Sequence, residues 1–520
     1  MKTQDNPQTW RLTMFVGLIG LGLILAPARS RAGTASPARP RLLVLTDIGG
    51  DPDDQQALVR LMVYANEFEI EGLIATASGT PGELKERRTR PDLIREIVTA
   101  YGQVQPRLAE HATGFPTAAE LLARIKSGNP NRGRAAIGDA HDTEGSRWII
   151  ACVDRPDVRP LNIAIWGGQT DLAQALWRVR QERGPAGLRQ FVARLRVYDI
   201  ADQDGIFEGM WREFPGMFYL LGHAPPGQDK RLGLFRGMYL GGDESLTSRA
   251  WIEEHVRRNH GSLGALYPPK TWTAPNPHSA LKEGDTPSWF FFLPNGLGDP
   301  AHPEWGGWGG RFQKDDRGIW RDAPDTLAGK TDARLTVSRW RPAFQNEFAA
   351  RLDWCVKPRT EANHPPIAVC NGEAGEFVVR LRAAPGERVL LSAKGSSDPD
   401  GQTLVAHWLV YPEAGTYRGV ISLSDARGET TGFVTPQVEQ TETIHVILQV
   451  QDSGRPPLSA YRRAVVTVHE SSNRELRGQP SKYKSRWLTS RKMSEVSPRL
   501  SRRDRRSDRP GSRPPPRWYP

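Results

Sequence analysis

The stretch from Thr46 to Leu58 places four carboxylates within eight positions, between two segments of opposite character. The apolar run from Leu42 to Leu45 predicts a buried strand, and the apolar-periodic segment from Ala57 to Tyr64 predicts a helix. Carboxylates crowded at the end of a buried strand repel one another unless a cation compensates them. Oxygen ligands suit a hard ion such as calcium or magnesium. The alternative is an acidic helix N-terminus that favours the helix dipole. The four acids are Asp47, Asp51, Asp53 and Asp54.

Strand-like and helix-like segments alternate from Arg41 to about residue 356. Polar residues directly follow the strand-like runs, as Asp202, Gln203 and Asp204 do after residues 195–200. This pattern predicts a mostly parallel α/β sheet with flanking helices, whose site lies at the carboxyl ends of the strands. Glu144 follows a predicted turn, and it is either another residue of that site or part of a helix-start signal.

Residues 361–470 contain short alternating segments with turn signals, which predict an all-β immunoglobulin-like sandwich. Its turn from Asp398 to Gly401 either binds calcium or forms an Asx-type turn, and the second interpretation is favoured. Before this domain, residues 304–311 combine tryptophan with glycine. Those indoles either form a flat surface for sugar stacking or pack the edge of the core.

The two ends of the chain differ from the rest. Residues 1–32 have a positive start, an apolar run of 15 residues and a small-x-small cleavage site, which together predict an export signal followed by a linker at 33–40. A secreted or periplasmic protein without a membrane span after signal removal is expected. Residues 471–520 hold 15 Lys/Arg and 4 Asp/Glu, which accounts for the net charge of +11. This tail is predicted to be disordered, and the neutral folded part gives no reason to expect nucleic-acid binding.

Three cysteines leave at least one thiol unpaired. Cys355 and Cys370 flank the predicted domain boundary and could form a disulfide, but spacing alone does not establish one.

Four motifs in chain order carry a resemblance to a known family. They are Thr-Asp-Ile-Gly-Gly-Asp-Pro-Asp-Asp-Gln-Gln at 46–56, Gly-Gly-Gln-Thr-Asp-Leu-Ala at 167–173, Glu-Gly-Asp-Thr-Pro-Ser at 283–288 and Trp-Gly-Gly-Arg at 308–311. The sequence resembles the nucleoside hydrolase superfamily, and more closely its secreted branch of cellulose-binding proteins. The resemblance covers about residues 41–470. It implies a nucleoside-hydrolase-like domain at 41–360 and a C-terminal β domain at 361–470.

The resemblance also implies a calcium site and a reaction. Calcium would be held by Asp47, Asp54, the carbonyl of Thr170 and Asp285, and Asp53 would contact sugar hydroxyls. The ion would lower the pKa of a water that attacks the anomeric carbon of a glycosyl bond, N-glycosyl or related. A non-catalytic protein that binds cellulose or another carbohydrate on the same scaffold is the alternative. Nucleoside hydrolases often form homo-oligomers, so such an assembly is an open expectation.

Several positions depart from the hydrolase pattern. Gly49 stands where a second acid is expected, so the catalytic base is either Asp47 or Asp51. Thr80 stands where a sugar-binding asparagine is expected. Asp202, Gln203 and Asp204 stand where the family has Glu-x-Asn, and they remain candidates for contacting sugar hydroxyls. Gly284 replaces a histidine that protonates the departing base. These departures predict a different leaving group or a loss of nucleoside hydrolysis.

Overall fold

The computed structural model describes residues 38–79, 86–225, 227–271 and 280–470. The predicted export signal at 1–32, most of the linker at 33–40, the sugar-contacting Thr80 and the basic tail at 471–520 lie outside the described residues. None of the helices in the described ranges is long and apolar enough to cross a membrane.

An eight-stranded sheet forms the centre of the first domain. Its strands are β1 (Arg41–Thr46), β2 (Glu69–Ala75), β3 (Ile125–Ser127), β4 (Leu161–Ile165), β5 (Leu195–Ile200), β6 (Phe218–Gly222), β7 (Phe312–Lys314) and β8 (Trp320–Asp322). They lie in the order β3-β2-β1-β4-β5-β6-β8-β7. Strands β1 to β6 and β8 are parallel, and β7 pairs antiparallel with β8. The prediction of a mostly parallel α/β sheet is confirmed.

Helices cover this sheet on both faces. They are α1 (Asp53–Val63), α2 (Pro91–His111), α3 (Ala118–Ala123), α4 (Glu144–Asp154), α5 (Gln169–Val192), α6 (Phe207–Glu213), α7 (Arg249–Ile252), α8 (Gly261–Ala265), α9 (Thr286–Phe290), α10 (Leu335–Ser338) and α11 (Arg341–Asp353). Alternate residues of β1 point to opposite cores: Leu42 and Val44 join one apolar cluster, and Leu43 and Leu45 join the other. All of β1 and β4 is buried, as a sheet covered on both faces requires.

The strand order reverses between β1 and β4. Strand β1 pairs with β2 on one side and with β4 on the other. Strand β3 then continues the sheet beyond β2, and β5 and β6 continue it beyond β4. Such a switch leaves a crevice at the carboxyl ends of the two strands. The acidic loop after β1 and the Gly167-Gly168 turn after β4 therefore meet at this crevice.

The second domain consists of strands. Its strands are β11 (Val369–Cys370), β12 (Glu373–Ala374), β13 (Val379–Ala383), β14 (Arg388–Ser392), β15 (Leu404–Val410), β16 (Thr430–Val434), β17 (Glu442–Asp452) and β18 (Ser459–Val468). A small hairpin of β9 (Asp325–Leu327) and β10 (Lys330–Asp332) precedes α10 and α11 in the first domain. A four-stranded sheet, β13-β18-β17-β15, and the pair β14-β16 contribute to one core, in which Trp408 is buried. The order of an α/β domain and then a β domain is confirmed, whereas the immunoglobulin-like classification remains a prediction.

The two domains belong to one compact unit. Trp305 is 6% exposed, stacks on His302 at 3.9 Å between ring centroids and meets His445 of β17 edge-on at 5.0 Å. Trp308, 2% exposed, packs against Phe344. The structure therefore supports core packing for these two indoles, and it does not expose them as a surface for sugar stacking.

Two further sequence alternatives are also decided by geometry. Cys152, Cys355 and Cys370 are all free and buried, so Cys355 and Cys370 are not bridged. In the turn after β14, Asp398 Oδ1 accepts hydrogen bonds from the backbone N–H groups of Asp400 and Gln402, at 2.9 and 3.0 Å. This pattern is an Asx-type turn, the favoured interpretation.

Candidate functional site

A cavity of about 550 Å³ lies at the carboxyl ends of β1 and β5. Its wall includes six carboxylates, three cationic side chains, one histidine and two aromatic side chains. These residues are Asp47, Asp51, Asp53, Asp54, Asp202, Asp285, Lys230, Arg236, Lys282, His223, Phe235 and Tyr239.

Three carboxylates converge at the floor of this cavity. Asp53 and Asp54 come from the first turn of α1, and Asp285 immediately precedes α9. One ligand oxygen from each lies within 4.8 Å of the others, which is close enough for the three residues to share a cation. Asp285 is 3% exposed, and its Oδ2 has no hydrogen-bond partner among the described residues. A buried carboxylate oxygen without a donor fits a cation ligand, because that state is otherwise costly.

Burial and mutual repulsion raise the pKa of each of these three acids. For Asp54 the rise is large and is caused first by desolvation and then by the charges of Asp285 and Asp47, while the Thr46 hydroxyl, which donates to Asp54, opposes it. For Asp285 the rise is also large, with desolvation first and the charge of Asp53 second. A calcium ion would stabilise the charged form of both groups, so the donor set and its electrostatics fit that ion.

Asp47 lies at the end of β1 and is held by an arginine that the sequence did not reveal. Arg132 Nη2 donates to Asp47 Oδ2 at 2.9 Å and to the Ala77 carbonyl at 2.7 Å. Desolvation raises the pKa of Asp47 to about 7, although Arg132 opposes the shift. Gly167 provides the space for this carboxylate, since a Cβ at Gly167 would lie 2.5 Å from Asp47 Cγ. The Gly-Gly turn after β4 is therefore needed for close approach to β1.

Asp51 forms an ion pair with a different cationic side chain, Lys282. Lys282 Nζ forms an ion pair with Asp51 and lies 3.3 Å from Asp53 Oδ2. These two charges keep the pKa of Lys282 above its ordinary value against the effect of desolvation. Lys282 comes from more than 200 residues away in the sequence, so no local pattern around Asp51 could have revealed it.

The missing acid at Gly49 has a steric reason. Gly49 has φ +108°, and a Cβ there would lie 2.4 Å from Ser78 Oγ and 2.8 Å from Arg90 Cγ. Two effects disfavour a side chain at this position: the positive φ, and the close contacts with Ser78 and Arg90. This chain therefore has no room for the second loop acid of the hydrolase pattern.

The acids after β5 have structural partners. Asp202 lines the cavity, but its Oδ1 accepts from the N–H groups of Ile206 and Phe207 at the start of α6, at 2.9 and 3.0 Å. Gln203 lines the cavity and donates to the Trp166 carbonyl. Asp204 Oδ2 accepts from the N–H and the hydroxyl of Thr170, at 2.8 and 2.6 Å.

Thr170 and Glu144, two predicted site residues, are not among the residues that line the cavity. Thr170, second in α5, makes its described side-chain contacts with Asp204 and the Gly133 N–H. Glu144 is half exposed at the first turn of α4, where it contacts the Ser127 N–H at 3.1 Å and Lys126 at 3.3 Å. Glu144 follows the N-cap Thr143 and is not part of the cavity wall, so the geometry favours the helix-start interpretation for it.

Three further side chains of the cavity wall, Phe235, Arg236 and Tyr239, were not predicted from the sequence. Phe235 lies beside Gly284, where a Cβ would be 3.1 Å from its ring, so the residue that replaces the family histidine is covered by an aromatic side chain. Arg236 Nη1 donates to the Tyr239 hydroxyl at 2.5 Å. These residues belong to a region of short 3-10 helices, and because such a region has no periodic pattern they could not be predicted from the sequence.

Comparisons with known proteins agree with this architecture. Residues 41–312 match the family model described as cellulose-binding Sde182, nucleoside hydrolase-like domain, and residues 388–468 match the model of the cellulose-binding protein Sde0182 C-terminal domain. A solved structure of a nucleoside hydrolase-related hypothetical protein from Saccharophagus degradans, associated with carbohydrate metabolism, is 34% identical over 83% of this chain and all of that chain, with a TM-score of 0.70.

A solved PKD domain matches a much smaller part of the chain. The PKD domain of the KIAA 1837 protein is 21% identical over 20% of this chain and 87% of that chain, with a TM-score of 0.14. No curated protein matches this sequence. The first family match spans more than half of the chain, and the second follows it in the same order. The chain therefore belongs to the cellulose-binding Sde182 family, in which a nucleoside hydrolase-like domain precedes a distinct C-terminal domain.

Proposed function

We propose that this protein is a secreted or periplasmic hydrolase of glycosyl bonds that requires calcium. The observation that carries the proposal is the convergence of Asp53, Asp54 and Asp285, with a buried Asp285 oxygen that lacks a donor among the described residues. Two of these acids were expected as ligands, and Asp53 joins them in place of a sugar-contacting role. Asp47 and the carbonyl of Thr170 remain candidates to complete the ligand set.

Calcium bound here would supply positive charge for sugar hydroxyls and for a water molecule, whose pKa it would lower. The residues of the chain would then position that water and accept its proton. Asp47 is the better candidate for the base, because its pKa of about 7 suits proton transfer near neutral pH. Asp51 is less suited, since its carboxylate is paired with Lys282. Gln203 and Asp202, which line the same cavity, are placed to contact sugar hydroxyls.

A non-catalytic carbohydrate-binding protein is the second candidate. The specific observation in its favour is the steric exclusion of any side chain at Gly49, which leaves the loop with one acid fewer than the hydrolases have. The family description, cellulose-binding, agrees with this candidate as well. In that case the same acids and cation would hold a sugar without cleaving it.

Calcium titration by calorimetry tests the metal site. Wild-type protein stripped of calcium is compared with Asp285→Asn and with the control Asp154→Asn, whose half-exposed carboxylate pairs with Arg183 away from the cavity. We expect Asp285→Asn to weaken calcium binding by more than about tenfold and the control to leave it unchanged. Equal binding by all three proteins would refute the proposed ligand set.

Turnover distinguishes the two candidate functions. Nucleosides, ribosides and oligosaccharides are offered to the calcium-loaded protein, and retention on insoluble cellulose is measured in parallel. Hydrolysis that disappears in Asp47→Asn supports the enzyme. Retention on cellulose without hydrolysis, unchanged in Asp47→Asn, supports the binding protein.

A further inference from the structure

Two of the three cationic side chains of the cavity come from one segment, whereas the third, Lys282, is paired with Asp51 and Asp53. Lys230 belongs to the 3-10 helix Lys230–Leu232 and Arg236 to the 3-10 helix Leu234–Met238. The calcium-site acids come from the loop after β1 and from the start of α9. A ligand that fills the cavity would therefore meet both carboxylates and cationic side chains.

Arg236 is held in a fixed position by its neighbours. Its Nη1 donates to the Tyr239 hydroxyl at 2.5 Å, and its guanidinium lies 5.2 Å from the centre of the Phe235 ring. Both neighbours line the cavity themselves. The guanidinium therefore loses little conformational freedom when a ligand binds it.

Nη2 of this guanidinium has no hydrogen-bond acceptor among the described residues. Nε is buried without a partner, and no described carboxylate lies within 4 Å of the group. The charge of Arg236 also lowers the pKa of Asp229, but the Asp229 carboxylate is paired with Arg231 at 2.6 Å. Other buried arginines of this domain differ in this respect: Arg60 pairs with Glu283, and Arg311 pairs with Asp325.

We propose that Nη2 of Arg236 binds the carboxylate or phosphate group of an acidic sugar that occupies this cavity. A hydrogen bond from a guanidinium N–H to such an anion is charge-assisted and therefore stronger than one between neutral groups. Lys230, which is exposed on the same wall, adds a second positive charge. This inference rests on the proposed function for the placement of the sugar ring near the calcium-site acids, and it adds the chemical class of the ligand.

Binding of matched acidic and neutral sugars to the full chain tests this inference. D-glucuronate is compared with D-glucose, and ribose 5-phosphate with ribose, by calorimetry with calcium present. The variants are Arg236→Gln, Arg236→Lys and the control Arg231→Gln, whose exposed side chain pairs with Asp229 outside the cavity wall. The two pairs of sugars separate a carboxylate ligand from a phosphate ligand.

We expect one acidic sugar to bind at least about tenfold more tightly than its neutral partner. Arg236→Gln should abolish this preference, Arg236→Lys should retain part of it, and Arg231→Gln should retain all of it. A fall in the affinity for the neutral sugar that is as large as the fall for the acidic one would show a merely structural role for Arg236.

Equal affinities within both pairs, or no binding of either acidic sugar, would overturn the inference. Calcium titration of the same samples separates this outcome from failure of the proposed function. Intact calcium binding without an acidic preference refutes the inference alone. A preference that persists when calcium binding is absent supports the inference and refutes the calcium-dependent function.

Discussion

Burial of Asp47 makes the stability of the calcium-free protein depend on pH, and this dependence can be measured without knowing the substrate. The side chain is 5% exposed, and desolvation raises its pKa from 3.8 to about 7. The folded state therefore holds the proton more tightly than the unfolded state does. The stability gained from this proton is fully present below about pH 4 and is lost as the pH rises towards 7.

The magnitude follows from the two pKa values. A difference between 3.8 and about 7 corresponds to about 4 kcal/mol of unfolding free energy, lost at about 1.4 kcal/mol per pH unit for one proton. Asp54 and Asp285 add to the slope in the same direction, because burial and mutual repulsion raise their pKa values too. Asn at position 47 mimics the protonated form, so Asp47→Asn should reduce the slope by about one proton.

Urea unfolding between pH 5 and 7 in the presence of a calcium chelator measures this slope. Wild type is compared with Asp47→Asn and with Asp229→Asn, a control whose exposed carboxyl has a pKa lowered to about 2 by Arg231 and which therefore does not titrate in this range. Identical slopes for wild type and Asp47→Asn would refute the argument that burial raises the pKa of Asp47 in the folded state. A reduced slope for Asp229→Asn would show that the effect is not specific.

Three shorter predictions follow from other contacts. Gly49→Asp restores the family acid in sequence but should destabilise the fold by more than about 2 kcal/mol in thermal unfolding, because the new side chain would clash with Ser78 and Arg90; Gly216→Asp, which has a positive φ but nothing within 4 Å, should cost less. Lys282→Met removes the cation between Asp51 and Asp53, so calorimetry should show tighter calcium binding while the melting temperature of the calcium-free protein falls. Trp305→Phe should lower the melting temperature and leave cellulose retention at 20 °C within about twofold, since the indole packs between the domains; a selective loss of retention would contradict the buried role.

The sequence predicted the elements whose signals are local. The apolar run before Asp47 and the periodic segment after it became β1 and α1, and residues 195–200 became β5 as expected. Helix α2 runs through Pro106 to His111, although proline disfavours a helix interior, because Val104 and Leu108 remain buried there. Strand β16 was missed, since the glycine-containing sequence Thr-Thr-Gly-Phe-Val gives little alternation.

The site was predicted only on its acidic side, for a physical reason. Four aspartates in one loop produce a local signal, whereas their compensating cations come from distant segments. Arg132 lies 85 residues from Asp47, and Lys282 lies 231 residues from Asp51. Long-range charge pairing leaves no periodicity in the sequence, so the electrostatics of the cavity become visible only in the folded chain.

The charges of the cavity connect the proposed calcium site with the proposed acidic ligand. Six carboxylates line the described wall. Arg132 is paired with Asp47, and Lys282 is paired with Asp51 and Asp53. Above the pKa values of these acids, the calcium-free protein therefore presents an excess of negative charge that repels an anion from Arg236. A bound divalent cation would remove two of these charges and so strengthen the binding of an acidic sugar, and by linkage the sugar would strengthen calcium binding by the same factor. This reciprocity is expected only if the cation and the anion share one cavity, because across separate sites the solvent would screen the coupling.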